Sequence, residues 1–143
     1  MNKKNLFVIA VTFVLALSMS VVAFAEEVET PVNPGDEPIP YQYATYAKDF
    51  CSVSGGTATC RTKVTGTAGV TKIVATQTLQ RKSGGSWSNA QTWSPDTVNG
   101  STFNVSHTKS VSSGYYYRTK ATVTVYKGAA SETFTVYSGA VYY

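Results

Sequence analysis

The feature that most constrains the fold is a period-two alternation of apolar and polar residues near the C-terminus. Ala121, Val123 and Val125 alternate with lysine, threonine and tyrosine. Because successive side chains of a strand point to opposite faces, this pattern predicts a strand with one buried face. No stretch after Ala25 shows the 3.6-residue periodicity of an amphipathic helix. The chain beyond that residue is therefore expected to be all-β.

Similar short runs recur along the chain, separated by Gly, Ser or Pro. Seven antiparallel strands at this spacing predict one β-sandwich, since a chain of this length usually holds a single core. The runs are 43–53, 58–65, 71–82, 87–94, 101–108, 115–126 and 133–142.

The N-terminus predicts export. Two lysines are followed by an apolar run from Leu6 to Ala16 and then by Ala23-Phe24-Ala25, which is typical of a signal peptide over 1–25 with an A-x-A cleavage site. A retained membrane anchor is the alternative, because the stretch from residue 6 to 25 is long enough to span a bilayer. No lipoprotein cysteine or C-terminal anchor is visible, so we expect a secreted protein, released or held non-covalently at the cell surface.

Residues 26–40 and 41–143 differ sharply in composition. The first segment, EEVETPVNPGDEPIP, has four prolines and five acids and predicts a disordered spacer. The second is the predicted sandwich domain, with ten Lys or Arg against three Asp or Glu, a net charge of about +7. This balance favours anionic partners without specifying one.

The two cysteines flank a predicted hairpin symmetrically. With Gly55-Gly56 as a two-residue loop, Cys51 falls opposite Cys60 at a non-hydrogen-bonded pair, where side chains lie closest. An exported chain permits a disulfide there, and we predict one. Free thiols or a metal site are the alternatives, but a metal needs more ligands than two cysteines and the single His107 supply.

Two aromatic surfaces are candidate ligand sites. A second hairpin, turning at residues 84–85, places Trp87, Trp93 and Lys82 on the face opposite Leu79, where exposed rings would stack on sugars. A one-residue change in loop length would instead turn Trp93 into the core. The side chains of the second surface alternate with the buried ones along their strands and so point outward. The high β-propensity of tyrosine alone would also explain the tyrosines found there. Its residues are Tyr116, Arg118, Lys120, Tyr126 and Tyr137.

The segment SSGYYYRTKATVTV, residues 112–125, is similar to strand F of immunoglobulin-like and fibronectin-type sandwiches. The resemblance implies that Tyr117 is a tyrosine corner whose hydroxyl bonds nearby backbone. The antibody pattern itself is not followed, because Cys60 has no partner on strand F and the third strand has no central tryptophan.

A wider resemblance rests on SGGTATC (54–60), GVTKI (69–73), TLQRKSGGSWS (78–88) and TVTVYKGAASETFTVYS (122–138). These segments resemble a group of small exported proteins of Gram-positive bacteria. The resemblance implies an exported sandwich and carries no activity with it.

Catalysis is not expected. The serines lie outside a G-x-S-x-G elbow, the domain offers only the scattered acids Asp49, Asp96 and Glu132, and its double glycines connect strand to strand rather than strand to helix. We predict no catalytic residues, no cofactor and no metal.

Two classes of function remain. The first is a secreted, non-catalytic binding module for an anionic or carbohydrate polymer of a cell surface. The alternative is a structural, adhesive or toxin-like protein acting through protein-protein or membrane-surface contacts. Nucleic acid is not an expected partner, no membrane span is expected after signal cleavage, and the sequence sets no oligomeric state.

Overall fold

A computed structural model describes residues 41–143. The signal peptide and the spacer predicted for 1–40 lie outside the described residues. Within the described part every regular element is a strand, which confirms the all-β prediction. The strands are β1 Ala44–Ser54, β2 Thr57–Gly66, β3 Lys72–Ser83, β4 Ser86–Thr92, β5 Asp96–Asn99, β6 Thr102–Ser110, β7 Tyr116–Lys127, β8 Ala130–Tyr137 and β9 Val141–Tyr142.

The strands form two antiparallel sheets that pack face to face. The small sheet has the order β1-β2-β6, and the large sheet has the order β4-β3-β7-β8. Two short strands extend the large sheet, because β5 also pairs with β3 and β9 also pairs with β7. The described residues thus form a β-sandwich, as predicted, with nine strands rather than about seven.

Both predicted double-glycine hairpins are present. In the first turn Gly55 and Gly56 have φ of 54° and 76°, and in the second Gly84 and Gly85 have φ of 59° and 83°. A two-residue turn of type I′ needs positive φ at both central positions, which glycine adopts at little cost.

The core has two apolar ends with polar residues between them. Phe103, Ile73 and Val123 belong to the larger cluster, and Leu79 and Tyr117 to the smaller one. Between them lie buried polar side chains from both sheets, which are Asp49, Thr62, Gln77 and Thr119. The centre of this sandwich is therefore held partly by hydrogen bonds.

Tyr117 is the tyrosine corner that the strand F resemblance implied. Its ring is 2% exposed, and its hydroxyl donates to the carbonyl oxygen of Ser112 at 2.7 Å. This bond fastens the loop that enters β7 to the strand itself.

Candidate functional site

The two cysteines face each other, but they do not form the predicted disulfide. Cys51 pairs directly with Cys60 across β1 and β2, so the predicted register is confirmed. Both are free thiols, and the sulfurs are joined by a hydrogen bond instead of a covalent bond. The structure therefore contains a facing dithiol pair. The hydrogen bond from Cys60 lowers the pKa of Cys51, whereas that contact and burial raise the pKa of Cys60.

A β-bulge separates the environments of the two tryptophans. Lys82 pairs with Trp87 as predicted, but the register shifts between Leu79 and Gln80, so that Ala90 becomes an extra residue in β4. One extra residue inverts the side-chain alternation. The face predicted for Trp93 is therefore wrong, and the inward alternative is the one observed.

Trp93 closes an open side of the sandwich. Its ring stacks on the imidazole of His107, with centroids 4.9 Å apart and planes 13° from parallel. It also packs against the smaller core cluster. Trp93 therefore belongs to the packing of the domain and not to an outer surface.

Beneath this stack a chain of hydrogen bonds crosses both sheets. Asp49 accepts from Thr62 at 2.6 Å, and Thr62 accepts from the amide nitrogen of Gln77 at 2.7 Å. The amide oxygen of Gln77 lies 2.6 Å from Nδ1 of His107, and Nε2 of that ring lies 3.5 Å from Asp96. The chain links the buried carboxyl group of Asp49 to the half-buried one of Asp96.

The buried end of this chain favours the neutral acid. Desolvation raises the pKa of Asp49 to about 7, and the hydrogen bonds from Thr62 and from the backbone of Ala121 offset only part of that rise. Its second oxygen, Oδ2, has no hydrogen-bond partner among the described residues. Such an atom is suited to carry the proton.

The outer face of the large sheet carries the other predicted ligand residues, and we call it the aromatic-basic face. At one end the guanidinium of Arg118 lies between two rings, 4.2 Å from the centroid of Trp87 and 4.5 Å from that of Tyr137. Its Nε donates to Gln80 at 2.9 Å, and Lys82 lies 5.9 Å from the Trp87 ring. Arg118 is therefore oriented before any ligand arrives.

Further aromatic and basic side chains continue along this face. Lys120 of β7 lies directly opposite Tyr137 of β8. Tyr116 packs on Tyr142 with ring centroids 5.0 Å apart. At the far end Lys72 lies 4.0 Å above the ring of Tyr126. Lys72 and Gln80 were not predicted for this face, although both share the parity of Lys82 in β3.

Threonines fill the area between these two ends. Thr76, Thr122 and Thr135 pair directly across three strands, and the hydroxyls of Thr124 and Thr133 lie 2.9 Å apart. The face therefore presents rows of hydroxyl groups between two aromatic and cationic ends.

None of the three described carboxylates lies on this face. Asp49 is buried, and Asp96 faces His107. Glu132 accepts from the backbone N–H groups of residues 42 and 43 at 2.9 and 2.8 Å. The lysines and the arginine of the aromatic-basic face therefore share it with none of these three side-chain carboxylates.

Neither a metal-binding cluster nor a membrane-spanning helix is present in residues 41–143. No group of three or more His, Cys, Asp or Glu is arranged to hold a metal ion there. The same residues contain no helix long and apolar enough to cross a membrane.

Comparison with known proteins assigns the chain to no family. No family model and no curated protein matches it. Among solved structures, the solution structure of CsgH from R. palustris is similar, with 14% sequence identity and a TM-score of 0.43. The likeness covers 65% of this chain and 89% of that one.

Proposed function

We propose that the protein is an exported, non-catalytic binding module that binds an anionic polysaccharide of a cell surface or extracellular matrix. The aromatic-basic face is the binding surface. The observation that carries the proposal is that Lys72, Lys82, Arg118 and Lys120 share this face with aromatic rings, while Asp49, Asp96 and Glu132 lie elsewhere in the described domain. The predicted signal peptide over 1–25 supports the extracellular location.

The chemistry of the face suits a polymer of acidic sugars. Acid groups pair with lysine and with the fork of donors on Arg118, and sugar rings pack against the aromatic side chains. Because the guanidinium covers one side of Trp87 and of Tyr137, the polymer contacts their remaining surfaces. The threonine rows supply hydroxyl groups along the path between the two ends.

The test measures retention of the full-length protein on calcium-alginate beads, a polyuronate, against neutral agarose beads. Replacing Trp87 with Ala and Arg118 with Gln together should weaken alginate binding at least ~10-fold, since each lost charge-assisted or stacking contact is worth about 1 kcal/mol or more. Soluble oligouronate at constant ionic strength should displace the native protein.

A matched control exists on the outer face of the small sheet. Phe50 pairs directly with Arg61 across β1 and β2, so Phe50→Ala with Arg61→Gln removes the same kinds of group elsewhere. Its alginate binding should stay within about twofold of the native value, because a distant surface charge contributes little once screened. Equal losses in both double variants would show diffuse charge attraction and overturn the proposal.

A further inference from the structure

A separate cleft opens between the sheets near the turn at residues 84–85. It has a volume of about 340 Å³. Strands β3 and β4 of the large sheet line one side, and the end of β6 with the loop after it lines the other. Its lining includes Arg81, Ser88, Lys109, Ser110, Ser112 and Tyr117.

Arg81 has a charged donor that the described residues leave unmatched. It lies on the inward side of β3, opposite Tyr117 of β7, and its guanidinium stacks 4.5 Å from the ring centroid of Tyr115. Its Nε is buried and has no hydrogen-bond acceptor among residues 41–143. Leaving a buried charged donor unpaired is unfavourable, so the site lacks an acceptor that a ligand would supply.

Lys109 places a second positive charge in the same cleft. It pairs with Ala58 at the end of β6 and reaches the cleft from the small sheet, across from Arg81. The hydroxyls of Ser110 and Ser112 add neutral hydrogen-bonding groups nearby, and no carboxylate lines the cleft. Two cations from different sheets therefore converge on one space.

We propose that this cleft binds the anionic group of a small ligand, a carboxylate, sulfate or phosphate, between Arg81 and Lys109. The volume lies near the lower end of the roughly 300–1,000 Å³ of small-molecule sites, so it suits a free oxyanion or one acidic sugar residue. The cleft lies on the opposite side of β3 from the aromatic-basic face. The inference thus goes beyond the proposed function and stands or falls separately.

The experiment titrates the full-length ¹⁵N-labelled protein separately with inorganic sulfate, inorganic phosphate and glucuronate, with neutral glucose as the blank. The Nε–H signal of Arg81 should shift and exchange more slowly as the anion binds. Arg81→Gln and Lys109→Gln should each weaken binding at least ~10-fold, because each removes a charge-assisted contact. Lys109 is exposed, so its variant keeps the test valid if the Arg81 variant is unstable.

The matched controls are Arg61→Gln and Lys63→Gln, which remove the same charges from the outer face of the small sheet. Their affinity should equal that of the native protein. If glucuronate binds more tightly than sulfate and phosphate, the ligand is an acidic sugar. If the inorganic anions bind as tightly as glucuronate, the ligand is a free oxyanion. The proposal is overturned if no anion moves the Arg81 signal, if glucose moves it equally, or if the controls weaken binding as much as the cleft variants.

Discussion

The charge state of Asp49 affects the stability of the fold because its carboxyl group is buried. It lies between the sheets with one oxygen bonded to Thr62 and the other without a partner among the described residues. Burial raises its pKa to about 7, whereas an unfolded aspartate titrates near 3.9. The folded protein therefore holds a proton that the unfolded chain has already released over this range.

The first prediction is that the full-length protein loses stability as pH rises from about 4 to about 7. The native state binds more protons than the unfolded state in that window, so the free energy of unfolding falls, by at most about 4 kcal/mol. Urea unfolding at several pH values measures it. Asp49→Asn should remove the slope, and an unchanged slope in that variant would refute the assignment.

The second prediction concerns the dithiol pair in the reduced protein. Cys51 is half-buried and the Cys60 hydrogen bond lowers its pKa, whereas Cys60 is buried with a raised pKa. Because the thiolate is the reactive species, iodoacetamide should modify Cys51 well before Cys60. Peptide mass spectrometry reads the order, with the urea-unfolded protein as the control in which both react alike. Faster labelling of Cys60 in the folded protein would contradict the structure.

At the scale of elements, β4 carries two opposite patterns in one short strand. Before the bulge its alternation places Trp87 outward, and after the bulge the chain turns Trp93 inward against His107. The extra residue, Ala90, places the two half-buried tryptophans on opposite faces of the large sheet.

The third prediction is that deleting Ala90 turns Trp93 toward solvent. In a Trp87→Phe background the emission of Trp93 should shift to the red and become easier to quench. The free energy of unfolding should fall by about 2 to 4 kcal/mol, approaching the cost of truncating a packed tryptophan. Deleting the facing pair Ser83 and Ser86 together is the control, because it shortens the hairpin without changing the register of β3 against β4. Unchanged emission after loss of Ala90 would show that the bulge does not decide on which side of the large sheet Trp93 lies.

The sequence predicted the strands whose alternation is long and whose turns need glycine. In β7 the alternation from Tyr117 to Val125 matched the buried face, and both hairpins were recognised by their double glycines. The four-residue β5 was missed because only Val98 of its residues packs against the core. The bulge was missed because Ala90 carries no turn signal, so the face of Trp93 depended on tertiary packing.

The sequence predicted part of the aromatic-basic face but not the cleft at Arg81. Parity alone grouped Arg118 with Tyr137, since both lie on strands with clear alternation. The Arg81 cleft was not predicted, because it joins residues of β3 to the distant end of β6. Only the packing of the two sheets brings Arg81 and Lys109 together.

At the scale of the whole molecule, the first residues of the described domain, 41–43, are held against β8. The ring of Tyr41 stacks on Phe134 with centroids 3.8 Å apart, and Glu132 accepts hydrogen bonds from the backbone of residues 42 and 43. These contacts hold the start of the domain just after the segment that the sequence predicts to be a disordered spacer.

The fourth prediction follows for protease that cuts after glutamate. Under native conditions it should cut the full-length protein at Glu37 or an earlier glutamate, and spare Glu132 in β8. Proteolysis needs local opening, and Glu132 is held by two hydrogen bonds within a paired strand. Mass spectrometry should find a resistant fragment that starts near residue 38. A first cut at Glu132 would contradict this domain boundary.

The hydrogen-bond chain through the core has one further consequence, for the tautomer of His107. Gln77 donates through its nitrogen to Thr62 and to the carbonyl of Val105, so its oxygen must accept a proton from Nδ1 of the imidazole. The neutral ring therefore carries its hydrogen on Nδ1, and Nε2 is the nitrogen that faces Asp96. The interior of the sandwich thus decides which nitrogen of a half-buried histidine carries the hydrogen.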